Sequence, residues 1–319
     1  MTLCFYCSSV FESRSFTARE MMFGTRERFE YAQCPKCKSC ILITPLDSFD
    51  LSSHYPRNYY SFSEETIRKS NLKSFLIERR GNYLFGKNNI FGLVMYFLKP
   101  AAHLLNLKSY GINVENTILD VGTGSGAFLS MMRENGFRKL FGCDPYIAKS
   151  ISKPDIEIKK CSIEEMAGSY NFIFFNHSFE HLINPSRSLA SARHLQQSGD
   201  SCIIRIPTTS SLAFERYGTN WVQLDPPRHI SIPSREGMRS LATSVGYRLE
   251  DMIDDSGAFQ FWGSEQYIKD IPLNADNSYW KNPKGSIFSQ SEIDRFEREA
   301  KQANILKKGD QTAFVLRAV

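Results

Sequence analysis

The stretch Ile118-Leu119-Asp120-Val121-Gly122-Thr123-Gly124-Ser125-Gly126-Ala127-Phe128-Leu129 constrains this chain of 319 residues more than any other. An apolar run, glycines at alternate positions and a helix-forming run predict a strand, a tight turn and a helix. Lacking Cβ atoms, the glycines let the backbone turn sharply and come close to a ligand. Eighteen residues past Gly126, the run Lys139 to Asp144 reads as a second strand ending in a carboxylate. A doubly wound sheet places an acid at that distance on ribose hydroxyls, because a carboxylate accepts two hydrogen bonds from a vicinal diol. The turn has neither the Gly-x-Gly-x-x-Gly spacing of dinucleotide sites nor the Gly-Lys-Ser/Thr ending of a P-loop. Asp120 beside it repels a pyrophosphate and suits a cationic amino-acid tail.

The strand, helix, strand order continues with a short strand at 156–158, strands at 171–175 and 201–206, and a helix at 186–196 between the last two. Such alternation predicts an α/β fold, a parallel sheet with helices on both faces. An insertion follows over 207–233, then a helix at 234–245, a strand at 247–253, a helix at 292–306 and a last strand at 312–316. Upstream, residues 45–62 form a turn-rich aromatic connector. Helices over 64–80 and 90–107, broken at Gly81 and at 86–89, form a cap.

With these residues in view the chain resembles the class I S-adenosylmethionine-dependent methyltransferases, whose first motif is an acid followed by Gly-x-Gly-x-Gly. Residues 170–182, Tyr-Asn-Phe-Ile-Phe-Phe-Asn-His-Ser-Phe-Glu-His-Leu, look like that family's fourth strand and Glu-His helix opening. The resemblance implies a Rossmann-like domain over 111–319 that binds S-adenosylmethionine. Gly122, Gly124 and Gly126 would lie under the methionine portion, Asp120 would orient its amino group and Asp144 would hold the ribose. Ser162 and the backbone of Ile163 match the adenine position, although Ser162 equally suits an N-cap with Glu165 as its capping-box partner. Asn176 and His177 follow the fourth strand at the ligand-binding edge, where either could touch donor or acceptor. Glu180 and His181 read as helix-end electrostatics and packing.

The insertion carries Trp221-Val222-Gln223-Leu224-Asp225-Pro226-Pro227-Arg228-His229-Ile230 and is the expected place for substrate chemistry. It resembles the Pro-Arg-His-Leu loop of methyltransferases in surface-polysaccharide and deoxysugar pathways. By that likeness Arg228 and Trp221 would bind a sugar or nucleotide-sugar, and His229 would be the base, with a loop-pinning histidine as the alternative. The chain lacks the long C-terminal domain of the sugar C-methyltransferases, so oxygen methylation is expected.

Cys4-Phe-Tyr-Cys7 and Cys34-Pro-Lys-Cys37 are two Cys-x-x-Cys knuckles separated by 26 residues, the spacing of a closed four-thiolate zinc ribbon over residues 1–45. A four-cysteine set leaves no open coordination position, so Zn2+ there would be structural. Disulfides are disfavoured in a chain without an export signal, and an iron-sulfur site could use the same thiolates. Cys40 reads as a small core residue or a spare ligand, and Cys143, Cys161 and Cys202 as packing.

With 42% apolar residues, the chain can bury an α/β core of about 200 residues plus smaller modules, which excludes a disordered protein. Its net charge of +5 is spread out, and the ribbon mixes lysines and arginines with glutamates. Nucleic acid is therefore not the expected partner, and a zinc-ribbon RNA methyltransferase ranks second. A non-catalytic scaffold ranks third, because the glycine motif is intact. The N-terminus shows no signal-peptide pattern, so a cytoplasmic location is expected. The apolar run 90–107, interrupted by Lys99, Pro100 and His103, predicts no transmembrane segment but suits peripheral membrane contact.

Overall fold

The structure is a computed structural model that describes residues 1–12, 15–45, 47, 51–55, 71–86, 89–98 and 102–319. Most of the aromatic connector and residues 64–70 of the helix expected over 64–80 lie outside them. The chain forms β1 (Thr2–Leu3), β2 (Val10–Phe11), β3 (Ser15–Arg19), β4 (Arg28–Gln33) and β5 (Cys40–Leu42), then α1 (Asn71–Leu84), α2 (Ile90–Leu98) and α3 (Ala102–Ser109). The alternating part follows as β6 (Ile118–Val121), α4 (Ala127–Glu134), β7 (Leu140–Cys143), β8 (Ile151–Lys153), β9 (Ile156–Lys159), β10 (Phe172–Asn176), α5 (Pro185–His194) and β11 (Ser201–Pro207). The remainder is α6 (Leu212–Tyr217), β12 (Ser231–Ile232), α7 (Arg235–Ser244), β13 (Tyr247–Asp254), α8 (Phe259–Ile268), α9 (Gln290–Ile305) and β14 (Gln311–Ala318).

This is the expected mixed α/β fold, with a central eight-stranded sheet ordered β13-β14-β11-β10-β6-β7-β9-β8. Within the helix expected over 90–107 the described residues form α2 and α3, and residues 99–101 lie outside the described set. Among the described residues no helix is long and apolar enough to cross a membrane.

The chain divides into two compact units. One comprises Arg57–Asn176, Ser191–Ile203 and Arg317–Val319. Within it β10, β6, β7 and β9 pair in parallel, and β8 closes the edge antiparallel to β9. All four residues of β6 are buried, as a strand covered on both faces requires. In α2, Ile90, Phe91, Val94, Phe97 and Leu98 are exposed.

The other unit comprises Met1–Pro56, His177–Ala190 and Ile204–Leu316. Its smaller sheet has the order β12-β5-β4-β3, all antiparallel. The N-terminal ribbon thus receives a fourth strand from just past residue 230, with Ser231 opposite Ile41 and Ile232 opposite Cys40. Beneath that sheet an aromatic core gathers Phe29, Tyr31, Trp221, Phe261, Trp262 and Phe296. Helix α8 is absent from the sequence reading because it lacks an amphipathic period. Seven of its residues, including Gln260, Ser264 and Gln266, are buried, so polar and apolar side chains alike face the interior.

Candidate functional site

The turn after β6 is built as the glycine spacing predicts. Gly122, Gly124 and Gly126 all have positive φ, at 72°, 53° and 80°. The backbone conformation at Gly126 favours glycine, and a Cβ there would lie 2.5 Å from Ile158 Cδ1 and have to displace the end of that side chain. Asp144 ties the turn to the end of β7, since its Oδ2 accepts from Gly124 N at 2.9 Å and its Oδ1 from Tyr146 N at 2.8 Å. Each oxygen keeps a second lone pair.

Asp120 is buried at the end of β6, and Asn176 Nδ2 donates to its Oδ1 at 3.4 Å. Burial pushes the Asp120 carboxyl up to about 7, with the nearby Asp144 charge adding to the rise and Asn176 opposing it. An acid desolvated in this way is matched to a cationic group that would restore its charge. Ser162 donates from both its backbone N and its hydroxyl to Glu165 Oε2, at 2.9 and 3.0 Å, and forms the capping box of a short turn in which Ile163 is buried. Asp120, the three glycines, Asp144, Ser162, Ile163 and Asn176 all belong to one unit and could hold a nucleoside with a cationic tail.

The other unit brings His177, Glu180, His181 and His229 together. Glu180 is fully buried, and among the described residues neither carboxylate oxygen has a hydrogen-bond partner. Its nearest polar neighbours are His177 Nδ1 at 3.6 Å and His229 Nε2 at 3.9 Å. The rings of His181 and His229 meet edge to face with centroids 4.9 Å apart. Burial pushes Glu180 up, but His177, facing it through Nδ1, prevails and holds the carboxyl down at about 2. Burial lowers His229 to about 4, against the attraction of Asp225 and Glu180, so its ring is neutral at pH 7. His229 Nδ1 lies 2.7 Å from Gln223 O. A carbonyl only accepts, so Nδ1 carries the proton and Nε2 is the lone-pair nitrogen. Arg205 donates to His177 Nε2 at 2.6 Å and to Asp255 at 2.6 Å.

The structure differs from expectation at Arg228 and Trp221. Arg228 is fully buried, donating to Asp225 Oδ1 at 2.5 Å and Oδ2 at 2.8 Å and to Glu20 Oε1 at 2.9 Å. Its guanidinium is therefore committed to two carboxylates rather than offered to a phosphate. Trp221 is buried, with Nε1 donating to Asp310 at 3.0 Å and its ring edge-on to Phe214, so it belongs to the core. Sequence reasoning missed Glu20, which also accepts from the Phe23 and Thr25 backbone amides. It treated Glu180 as packing, and no local pattern marks either residue.

The two cysteine knuckles repeat one local design. In each, the first cysteine accepts from the amide four residues on and donates its own amide to the carbonyl five residues on, with Ser8 and Lys38 at φ 55° and 66°. Ser9 and Ser39 hydroxyls lie 3.1 and 3.3 Å from the second sulfur of each knuckle. The Sγ atoms of Cys4 and Cys37 are 3.5 Å apart and those of Cys7 and Cys34 are 3.7 Å apart, with all four within 4.8 Å. Tetrahedral Zn–S bonds of about 2.3 Å set sulfurs about 3.8 Å apart, so this donor set fits one closed ion. Cys40 stands outside it, buried in β5.

Residues 94–251 match the family model described as a methyltransferase domain. No protein of curated function matches the chain. Among solved structures it is similar to an S-adenosylmethionine-dependent methyltransferase from Mesorhizobium loti, at 13% identity over 68% of this chain and 98% of that one, TM-score 0.45. It is also similar to the 1,6-didemethyltoxoflavin-N1-methyltransferase of Burkholderia thailandensis, at 10% identity over 91% and 96% of the two chains, TM-score 0.42. A cyclopropane synthase from Mycobacterium tuberculosis is similar at 12% identity over 79% of this chain and all of that one, TM-score 0.41. These likenesses carry no argument about the acceptor of this chain.

Proposed function

Residues 94–251 form an S-adenosylmethionine-dependent methyltransferase domain, which makes this protein a methyltransferase, and we propose that it O-methylates a hydroxyl of a sugar or nucleotide-sugar in polysaccharide biosynthesis. In this reading Asp120 and Asn176 hold the ammonium of the donor, the 122–126 turn lies under its methionine portion and Asp144 holds the ribose. Ile163 and Ser162 border the adenine. S-adenosylmethionine supplies a methyl group activated by an adjacent sulfonium. The chain aligns the acceptor oxygen in line with that methyl and assists loss of one proton, since a sugar hydroxyl is weakly acidic.

His229 is the residue to which this reading gives activation of the acceptor. The observation that carries it is the Nδ1 contact to Gln223 O at 2.7 Å, which keeps the Nε2 lone pair available beside Glu180. His177, fixed by Arg205, borders the same group. Cys4, Cys7, Cys34 and Cys37 hold a structural Zn2+ in the same reading, and Arg228 orders the loop that carries His229.

The test is transfer of labelled methyl from S-adenosylmethionine to a panel of nucleotide-sugars, with bulk RNA as the competing acceptor. A labelled nucleotide-sugar product, with kcat lowered about 100-fold or more in His229→Asn, is the expected result. Label on RNA alone, or an unchanged kcat in the variant, overturns it.

A further inference from the structure

A buried carboxylate with both oxygens unpaired is rare, because such a group is satisfied by donors or by a cation. Among the described residues Glu180 is in that state, and its surroundings select between the two. Its neighbour His181 has Nδ1 2.7 Å from Arg228 O, so that nitrogen carries the proton. His229 is fixed in the same tautomer by Gln223 O. With both rings neutral, two Nε2 lone pairs are left for a common partner, and a ligand atom from each of Glu180, His181 and His229 lies within 4.8 Å of the others. Lone pairs and an ionised carboxylate repel one another unless something positive lies between them. His177 is not a substitute, since its Nδ1 stays 3.6 Å from the carboxylate while Arg205 holds its Nε2.

We propose that Glu180, His181 and His229 form a second metal site, a two-histidine, one-carboxylate set for a divalent first-row transition ion. The donor count is that of an open site, three protein ligands that leave further coordination positions of the ion to be filled, unlike the closed thiolate set. The backbone carbonyls of Gln223 and Arg228 are its outer shell. They accept from the far nitrogen of each ring and turn Nε2 to the ion, an arrangement common to metal-bound histidines. His229 directly follows Arg228 in the chain, and His181 faces the Arg228 carbonyl. The burial of Arg228 against Asp225 and Glu20 then has a purpose beyond packing, because it fixes the carbonyl that orients His181. Resting on the acceptor reading above, an ion there would offer an open position to the acceptor oxygen and ease loss of its proton. His229 would then activate the acceptor as a ligand.

Cobalt(II) titration of the metal-free full-length protein, followed by absorption, separates the two sites without an activity assay. The expected result is two equivalents per chain. One carries intense thiolate charge transfer, which Cys34→Ser abolishes, and one gives only weak ligand-field bands. Glu180→Gln and His181→Asn should each remove the second equivalent and keep the first. The retained thiolate spectrum and retained S-adenosylmethionine binding show that the variants are folded. A wild type that saturates at one thiolate-bound equivalent, or a second equivalent that persists in both variants, overturns the site. Two equivalents without transfer to any sugar would instead refute the acceptor and leave the metal site standing.

Discussion

The donor turn lies within residues 120–144, and its shape is set by backbone: three positive-φ glycines and one carboxylate that accepts from two amides. The imidazole cluster is assembled from residues 177–181 and 223–229 and is held by contacts far apart in sequence. Tyr31 in β4 donates to His229 O at 2.7 Å, Ile230 N donates to Glu180 O at 2.8 Å, and Glu20 takes the Arg228 guanidinium. A site made of backbone geometry needs only its own strand and turn. A site made of buried side chains depends on every segment that desolvates and orients them.

That contrast predicts unequal responses to damage. Zinc withdrawal, or Cys34→Ser, should cost the ribbon on the order of 10 kcal/mol, read as loss of near-ultraviolet circular dichroism from the aromatic core. S-adenosylmethionine affinity should hold within a few-fold, and collapse of both together would break the contrast. Arg228→Leu leaves Glu20 buried without its cation and should destabilise by about 3–5 kcal/mol in urea unfolding, with much of that recovered by Glu20→Gln in the same chain. Gly126→Val forces a φ of 80° on a branched residue against Ile158. Its strain of about 1–3 kcal/mol should appear as a 10- to 100-fold loss of donor affinity with the cobalt spectra unchanged.

Asp120 sharpens the comparison through pH. Its carboxyl is raised from 3.8 to about 7 in the folded protein, so the folded state holds a proton that the unfolded chain has released. Ligand-free stability from this group is therefore full below pH 3.8 and is lost as pH rises through about 7. Donor binding needs the ionised form, so affinity should weaken about tenfold per pH unit below that value, and Asp120→Asn should remove the slope. The smallest effect is Ser162→Ala, which removes one arm of the capping box with Glu165 and should cost about 1 kcal/mol.

How much could be read beforehand follows the same division. Strand, turn, acid and second strand were legible because each is a local pattern, and so were the four cysteines. The short β12 was not, since a two-residue strand has no period and exists only because β5 accepts it. Arg228 next to a histidine in a proline-rich loop reads as an anion binder. Its partner Glu20 lies 208 positions away, and nothing near Arg228 announces it. Glu180 could be seen as a charge at a helix start, but its lack of partners is a property of the packed interior.

The pairing of β12 with β5 also bears on the order in which the molecule comes into being. The sheet behind the knuckles stays one strand short until Ile232 has been added. A nascent chain carries its thiolates through nearly two hundred further residues before the strand that buries Cys40 arrives. Metal capture before that moment would have to occur on an unfinished sheet. The sheet beside the second knuckle is completed only by a strand synthesised long after its own.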